Sequence, residues 1–354
     1  MREISETLQA AQNAVSNTPY IRIVPTSPDG VTTYDYSSDQ NRLRQLEHVE
    51  EAYNDYATII LNNSDGGVQP DITGYWMEIG YGYDTGSNEY SSTSRLWIKS
   101  QMDFSAEGQV YTMLELGGMW DVLRETLIRT GDPPFYIRYD DPETGNTSYH
   151  AGATVYELIA YILAEASDDN YTFTLAELES SDGIVDSYVP TFEVNTINLF
   201  EDALSLIKRL VDMTYCTLRV KSGLEFELFY PPATKEDLEA DETYYSYQVP
   251  FFIEYLYKLN LAVPNHILLF ANAGDDGMWT NIITAEASDE DQIAKYRDVY
   301  EIHTAENIDN LADAQNRVNA ILAKKELETM SGRLTARHNC KLELYDLIGV
   351  ESTR

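Results

Sequence analysis

The chain has 354 residues, of which 43% are hydrophobic and 12% aromatic, so a disordered chain is excluded and two or three domains are expected. Its 24 Lys and Arg stand against 59 Asp and Glu, a formal net charge of −35, which argues against tight binding to nucleic acid or anionic membranes. The two cysteines, Cys216 and Cys340, are too few for a disulfide framework and lack zinc spacing. We therefore expect both to be buried.

The first part of the chain, residues 1–131, predicts a β-barrel domain. A short helix over 4–15 places Ile4, Leu8, Ala11 and Val15 on one face, and an extended run and a polar loop follow it. Glycine-rich turns then separate a series of predicted strands, which are 56–63, 74–83, 94–102 and 108–116. A helix over 119–130 closes this unit, and so many strands in about a hundred residues predict a small barrel or sandwich.

The middle part, residues 132–240, predicts a smaller α+β insert. Pro133 and Pro134 and a polar run mark its beginning. Amphipathic helices are predicted over 153–166 and over 198–213, the second capped by Asn195 or Thr196.

A hairpin over 215–231 follows, and its register can be predicted. A three-residue loop of Lys221, Ser222 and Gly223 would set Val220 opposite Leu224. The other pairs of this register are Leu218 with Phe226, Cys216 with Leu228 and Arg219 with Glu225. A two-residue loop would instead place Val220 against Glu225, so we favour the first register.

The last part, residues 241–354, predicts a second barrel. Extended segments are 248–263, 265–272 and 279–287. The pattern is helical over 307–330, with a cap at Thr304 or Asn307 and a stop at Gly332. A final strand is predicted from the alternation of Leu342 and Leu344 with charged residues.

No motif in the sequence predicts catalysis, a cofactor or a metal. There is no nucleophile elbow, His-Glu-x-x-His motif or phosphate loop, and Gly80-Tyr81-Gly82 fits a strand that needs small residues. The five histidines are scattered, namely His48, His150, His266, His303 and His338. Asp65-Gly66 and Asp275-Asp276-Gly277 are typical of ordinary turns rather than of calcium loops. We predict no enzyme and assign no catalytic, cofactor-binding or metal-binding residues.

Several segments together resemble tail baseplate hub proteins of bacteriophages, of the late-control D and VgrG type. They are TPYIRI after the first helix, ATIILNN and MEIGYGY, NLFEDALSLIKRLVDM, PNHILLFAN, and the stretch from NLADAQNRVNAILAKKELETM to KLELYDLIGV. The resemblance covers most of the chain as an order of elements. It implies two tail-tube-like β-barrel domains, each with a packed helix, flanking the smaller α+β insert.

The resemblance also implies a function and partners. It predicts a structural ring of the virion tail, usually a homotrimer, between the hexameric tail tube or distal tail protein above and tip, spike or fibre proteins below. DNA would pass through without specific binding, and the acidic charge would suit such a passage because carboxylates repel phosphates. No signal peptide and no membrane insertion are predicted. The alternatives are a tyrosine-rich glycan-binding module, favoured by the 27 Tyr, and a carboxylate-based glycoside hydrolase.

Overall fold

The computed structural model describes residues 1–129, 139–140, 147–148, 154–177, 200–214, 216–229, 240–272, 282–305, 311–327 and 329–353. Its largest sheet is antiparallel, with the strands β1 (Pro19–Arg22), β2 (Leu43–Glu51), β3 (Asn54–Asn62), β4 (Trp76–Tyr83), β5 (Glu89–Ala106) and β6 (Gln109–Gly117). Their order across the sheet is β1-β4-β5-β6-β3-β2. The four strands predicted between residues 56 and 116 are confirmed, and β5 is longer than predicted.

The sheet curls over a core of its own. Each strand alternates apolar and polar side chains, so one face buries a continuous cluster that includes Ile59, Leu61, Met77, Ile79, Leu96, Ile98, Leu114 and Leu116. Bulges interrupt the pairing of β2 with β3, β4 with β5 and β5 with β6, and such bulges increase bending and twist. The edge strands β1 and β2 are not paired with each other in the described residues. We call this unit the curled sheet.

Two predictions for this region were wrong. Strand β2 lies where a polar loop was expected. The strand was missed because Arg44, Gln45 and Glu47 are exposed polar residues on an edge strand, and they interrupt the alternation of apolar and polar residues. The first helix, α1 (Glu6–Gln12), is shorter than predicted, and Val15 is exposed rather than part of the buried face. Leu8 of α1 packs instead with Tyr83 and the buried Cys340.

The insert is built from short helices and strands. They are α2 (Met119–Glu125), β7 (Leu127–Arg129), β8 (Tyr139–Asp140), β9 (Thr147–Ser148), α3 (Val155–Glu165), β10 (Thr174–Leu175), β11 (Phe200–Asp202), α4 (Ala203–Val211), β12 (Thr217–Val220) and β13 (Glu225–Phe229). The helix predicted over 119–130 ends at Glu125, because Thr126 is extended and β7 then pairs with β11. Met119, Trp120 and Leu123 of α2 lie in one core with α3, α4, β12 and β13.

The two amphipathic helices of the insert are confirmed, but one cap was wrong. Thr154 caps α3 in a capping box with Glu157, as the sequence Thr-x-x-Glu favours. Asp202 caps α4 by accepting a hydrogen bond from the backbone of Ser205 at 2.9 Å. The helix therefore begins later than the predicted caps at Asn195 and Thr196, which lie outside the described residues.

The predicted hairpin is present, but its register was wrong. Val220 pairs with Phe226 and Arg219 with Glu227, so the loop consists of residues 222–224. Gly223 has the predicted left-handed conformation at φ 76°. Its backbone also exchanges hydrogen bonds with β5, donating to Thr93 and accepting from Arg95, and this docking on the curled sheet fixes the tip of the loop. The buried face is as predicted and contains Cys216.

The described residues of the last part form three small sheets and two helices. Its elements are β14 (Glu242–Tyr245), β15 (Phe252–Leu259), β16 (His266–Asn272), β17 (Ile282–Ser288), α5 (Glu290–Lys295), β18 (Tyr300–Ala305), α6 (Leu311–Leu327), β19 (Met330–Ala336) and β20 (Ile348–Glu351). β14 pairs with β20, β15 with β19, and β16 lies between β17 and β18. Helix α6 packs Ala314, Val318 and Leu322 on one face of the three-stranded sheet. The predicted helix and three extended segments are thus confirmed, with shorter bounds.

Two predictions near the end of the chain were wrong, and the predicted helix cap at Thr304 or Asn307 is tested only at Thr304. Thr304 lies in β18 and caps no helix, and Asn307 lies outside the described residues. Gly332 lies in β19 rather than at a helix end. A Cβ at this position in β19 would collide with the carbonyl oxygen of Leu256. The segment 341–347, where a strand was predicted, forms turns because Tyr345 has a φ of 74° and Glu343 points inward to basic side chains.

The sheet-rich α+β class is confirmed. Within the described residues, the strands of the last part form separate sheets rather than one continuous barrel. The two closed barrels and the domain limits 1–131, 132–240 and 241–354 stay predictions.

Candidate functional surfaces

A cluster of buried charges joins three parts of the chain that are distant in sequence. We define the charge cluster as Arg2, Glu50, Arg219, Lys221, Glu227, Glu343 and Asp346. Arg219 lies in strand β12 and Lys221 in the turn after it. Glu343 and Asp346 lie in the turns after β19. Arg2 and Glu50 come from the N-terminal segment and the curled sheet. The cluster thus links the insert and the last part to the curled sheet.

The geometry of the charge cluster is close and specific. Arg219 donates from Nη1 to Asp346 Oδ1 at 3.0 Å and from Nε to Glu227. Lys221 Nζ donates to Glu343 Oε2 at 2.7 Å. The side chains of Arg219, Glu343 and Asp346 are almost completely buried. A charge left without its partner in such a place is costly, so the pairs hold the segment 341–347 in one position.

Beside this cluster, Tyr81 of β4 lies between two histidines. His48 Nδ1 is 3.1 Å from the Tyr81 hydroxyl, and the ring of His338 lies on Tyr81 with centroids 4.0 Å apart. Burial, with Arg2 nearby, lowers the pKa of His338 to about 4, and burial also lowers the pKa of His48. Both imidazoles are therefore neutral at pH 7. This histidine–tyrosine stack attaches the segment after β19 to the curled sheet.

A cleft of about 430 Å³ opens over the stack and is lined by residues from the N-terminal segment, the curled sheet and the segment after β19. Its carboxylates, Glu50 and Glu343, both face Arg2, whose Nη2 donates to Glu50 at 3.1 Å. Among the residues the structure describes, no three or more His, Cys, Asp or Glu side chains are grouped so that they could hold a metal ion.

The sequence did not indicate this convergence. The sequence shows His48 and His338 far apart, yet the fold brings both to one tyrosine, His48 to its hydroxyl and His338 to its ring. The only sequence feature that pointed to this place was Gly80-Tyr81-Gly82. Gly82 is needed there because a Cβ would collide with the carbonyl oxygen of Glu89 on the neighbouring strand. The interpretation of those glycines as a strand that needs small residues fits the structure. The turn at Asp65-Gly66 is also present, with Arg42 donating to Asp65, whereas 275–277 lies outside the described residues.

A second surface is apolar and exposed. Strands β15 and β19 form an antiparallel pair, which we call the ribbon, and every residue from Ile253 to Leu259 is exposed. Ile253 is 75% exposed, Leu256 63% and Leu259 69%. The ribbon and β20 line a cleft of about 590 Å³ whose walls include Tyr255, Tyr257 and Val350.

The third surface is the face of the β17–β16–β18 sheet opposite α6. The pairing places Leu268 between Ile302 on β18 and Glu286 on β17. Ile282, Tyr300 and Ile302 on this face are exposed, while Leu268 and Phe270 are partly buried. We call it the open face, since no described element of the chain covers it. No helix within the described parts of the chain is long and apolar enough to cross a membrane.

Comparison with solved structures finds this fold in tail proteins. The tail protein from Neisseria meningitidis MC58 matches over 95% of this chain and 87% of that chain, with a TM-score of 0.63 and 10% identity. The chain has the fold of a tail protein. The 43 kDa tail protein of prophage MuSo2 from Shewanella oneidensis supports this, with coverage of 95% and 89%, a TM-score of 0.56 and 12% identity.

The predicted resemblance to phage tail proteins is therefore confirmed at the level of the fold. The Francisella PdpA–VgrG complex also matches, over 82% of this chain and 44% of that chain, but its TM-score of 0.41 is too low to establish a shared fold. No protein-family model and no curated protein sequence matches the chain. The two tail proteins are named as tail components rather than as enzymes.

Proposed function

We propose that the protein is a structural component of a phage or phage-like tail tip. In this proposal it forms a baseplate hub ring, a homotrimer in the virion tail, that joins the hexameric tail tube to the tip or spike. The observation that carries the proposal is the fold similarity, which extends over 95% of the chain and most of the length of a tail protein. A match of that extent includes the curled sheet, the insert and the last part together.

The charge of the chain supports a role in DNA passage. A net charge of −35 disfavours contact with phosphates, and a channel lined by carboxylates offers DNA no binding sites on its way through. We propose that part of the acidic surface faces the bore of the ring.

The first test is the mass and symmetry of the purified protein, by light scattering and negative-stain electron microscopy at low and high salt, alone and with purified tail tubes. A ring of three chains with an axial hole is the expected result. A protein that remains a single chain both alone and with tubes would contradict the hub proposal. A ring with a neutral or basic bore would contradict the DNA-passage part only.

A glycan-binding module is the second candidate, and one observation favours it. Tyr255 and Tyr257 line the cleft of about 590 Å³, and tyrosine rings can stack on sugar faces. A glycan-array screen compares the wild type with Tyr257→Ser. Binding that the substitution abolishes, by a protein that stays monomeric, would favour this candidate over the hub.

A carboxylate hydrolase is the least supported candidate. Glu50 and Glu343 do lie in one cleft, but Arg2 faces both of them and holds their charges in ion pairs. A pair of catalytic carboxyl groups instead needs one member that keeps a proton to give to the leaving group. The arrangement suits a structural link better than acid catalysis.

A further inference from the structure

The ribbon has no further strand and no packed helix among the described residues of its own chain. A two-stranded antiparallel pair is at best marginally stable by itself in water, and it normally needs further strands or a packed helix. Within the described residues, β15 pairs only with β19, and none of its side chains belongs to a buried cluster. Its large apolar side chains, Ile253, Leu256 and Leu259, are instead left in solvent. Exposed apolar side chains of this extent are typical of a surface that another surface covers.

The charge of the ribbon indicates what kind of surface covers it. The strands β15 and β19 carry Glu254, Lys258 and Arg333, which gives −1 + 2 = +1, in a chain whose total is −35. A local positive charge on so acidic a protein is attracted to an acidic surface. Every other copy of the same chain presents such surfaces.

One surface of the chain has matching chemistry. The open face exposes Ile282, Tyr300 and Ile302 and carries Glu286, whose side chain is 69% exposed, at the edge of β17. Asp298 lies beside it, within 3.0 Å of His266 on the same face. This apolar face with acidic groups at its rim complements the ribbon face on which Lys258 and Arg333 lie beside Leu256.

We propose that the ribbon of one copy packs on the open face of a second copy. The two surfaces are different, so the contact is head-to-tail, and repeated contacts of this kind close into a ring when the rotation allows it. The inference rests on the proposed hub function and identifies the surfaces that would build the ring. In that ring, the ribbon face that carries Leu256, Lys258 and Arg333 is buried by the neighbour.

The decisive experiment is crosslinking between engineered cysteines. Leu256→Cys lies on the ribbon and Ile302→Cys on the open face, and the native Cys216 and Cys340 are both buried. A short bis-maleimide reagent should link chains of the double variant L256C/I302C into covalent pairs and larger products. Each single variant should remain at the mass of one chain. Linked dimers of the L256C variant alone would show a ribbon-to-ribbon contact and would overturn the proposal.

A charge-reversal series tests the same contact without cysteines. Arg333→Glu should weaken association about tenfold, because it replaces an attraction by a repulsion. Adding Glu286→Lys should restore association if the two residues face each other between copies. The matched control is Arg44→Glu on β2, which is exposed on a strand of the curled sheet and makes the same change in charge. Circular dichroism checks that each variant is folded.

The outcomes separate this inference from the hub function. If the wild type assembles and the R333E variant assembles equally well, with no L256C/I302C crosslinking, the ribbon contact is wrong while the ring stands. If the wild type remains a single chain alone and with tail tubes, both proposals fail. Weakening by R333E, rescue by E286K and an unaffected R44E control would support the contact.

Discussion

The curled sheet and the last part of the chain both consist of strands with a helix nearby, but they bury their apolar residues in different ways. The curled sheet packs Ile59, Leu96 and Leu114 into a core of its own. Among the described residues of β14, β15, β19 and β20, only Tyr244 is a buried apolar residue. The last part is held to the rest by the charge cluster and the histidine–tyrosine stack. The curled sheet is therefore self-sufficient, and so is the packing of α6 on its three-stranded sheet, whereas β14, β15, β19 and β20 depend on their neighbours.

The charge cluster should be the most sensitive point of this arrangement. Arg219→Ala removes the guanidinium that donates to Glu227 and to the buried Asp346, which then keep only Lys221 and the Met1 ammonium as ion-pair partners. We therefore expect a loss of about 3 kcal/mol in unfolding free energy. Urea denaturation measures it, and Arg44→Ala on exposed β2 serves as the control, with an expected change within about 0.5 kcal/mol. Equal stability of the two variants would show that the cluster does not hold the last part.

A pair of leucine substitutions tests the comparison directly. Leu96→Ala creates a cavity in the core of the curled sheet and should cost about 2–5 kcal/mol. Leu256→Ala on the ribbon should change the stability of the dilute chain by less than about 0.5 kcal/mol, since its side chain is already exposed. Urea melts of both variants at low protein concentration provide the measurement. A large cost at Leu256 under those conditions would mean that the ribbon is covered within a single chain.

The pH dependence of stability caused by Asp55 shows how completely the curled sheet and α2 exclude water from its carboxyl group. Burial raises the pKa of Asp55 to about 7, although Ser94 donates to its Oδ2 at 2.7 Å. The unfolded chain ionises this group near pH 4 and the folded chain does not, so stability falls as pH rises from about 4 to 7. Asp55→Asn should remove this loss. At 1.36 kcal/mol per pKa unit, and after subtraction of the contribution lost by a weakened hydrogen bond, the variant should be more stable than the wild type by about 3 kcal/mol at pH 8. The measurement is urea denaturation at pH 5 and pH 8, and identical pH profiles of variant and wild type would contradict it.

The histidine–tyrosine stack should make the attachment of the last part sensitive to acid. The pKa of His338 is lowered to about 4 by burial, so below pH 6.5 the unfolded chain takes up a proton that the folded chain does not. Stability should fall as pH decreases from 6.5 toward 4, by less than the full shift implies, because the His338 side chain is partly exposed and solvent screens its charge. His338→Gln should flatten this part of the profile, measured by thermal melts at each pH. Glu50, Glu343, Arg2 and His48 also face the stack and are unchanged in the variant. An acid profile that the substitution leaves unchanged would contradict the prediction.

Much of the fold follows from local patterns. Residues 56–116 alternate apolar and polar side chains, which predicts β3 to β6, and the capping box at Thr154 marks the start of α3. The register of β12 and β13 does not follow from the hairpin alone, because Gly223 is hydrogen-bonded to β5 of the curled sheet. Likewise, the alternation around Leu342 predicts a strand, but Glu343 is drawn to Arg219 and Lys221, which are more than a hundred residues away.

The sequence by itself determined the sheet-rich α+β class, the main helices and strands, the burial of both cysteines and the large negative charge. These features depend on residue type and on periods of two and 3.6, which short segments already show. The tertiary structure alone decided the charge cluster, the placement of Tyr81 between His48 and His338, and the exposure of the ribbon. Each of these depends on contacts between distant segments, and local patterns carry no information about which distant segments meet.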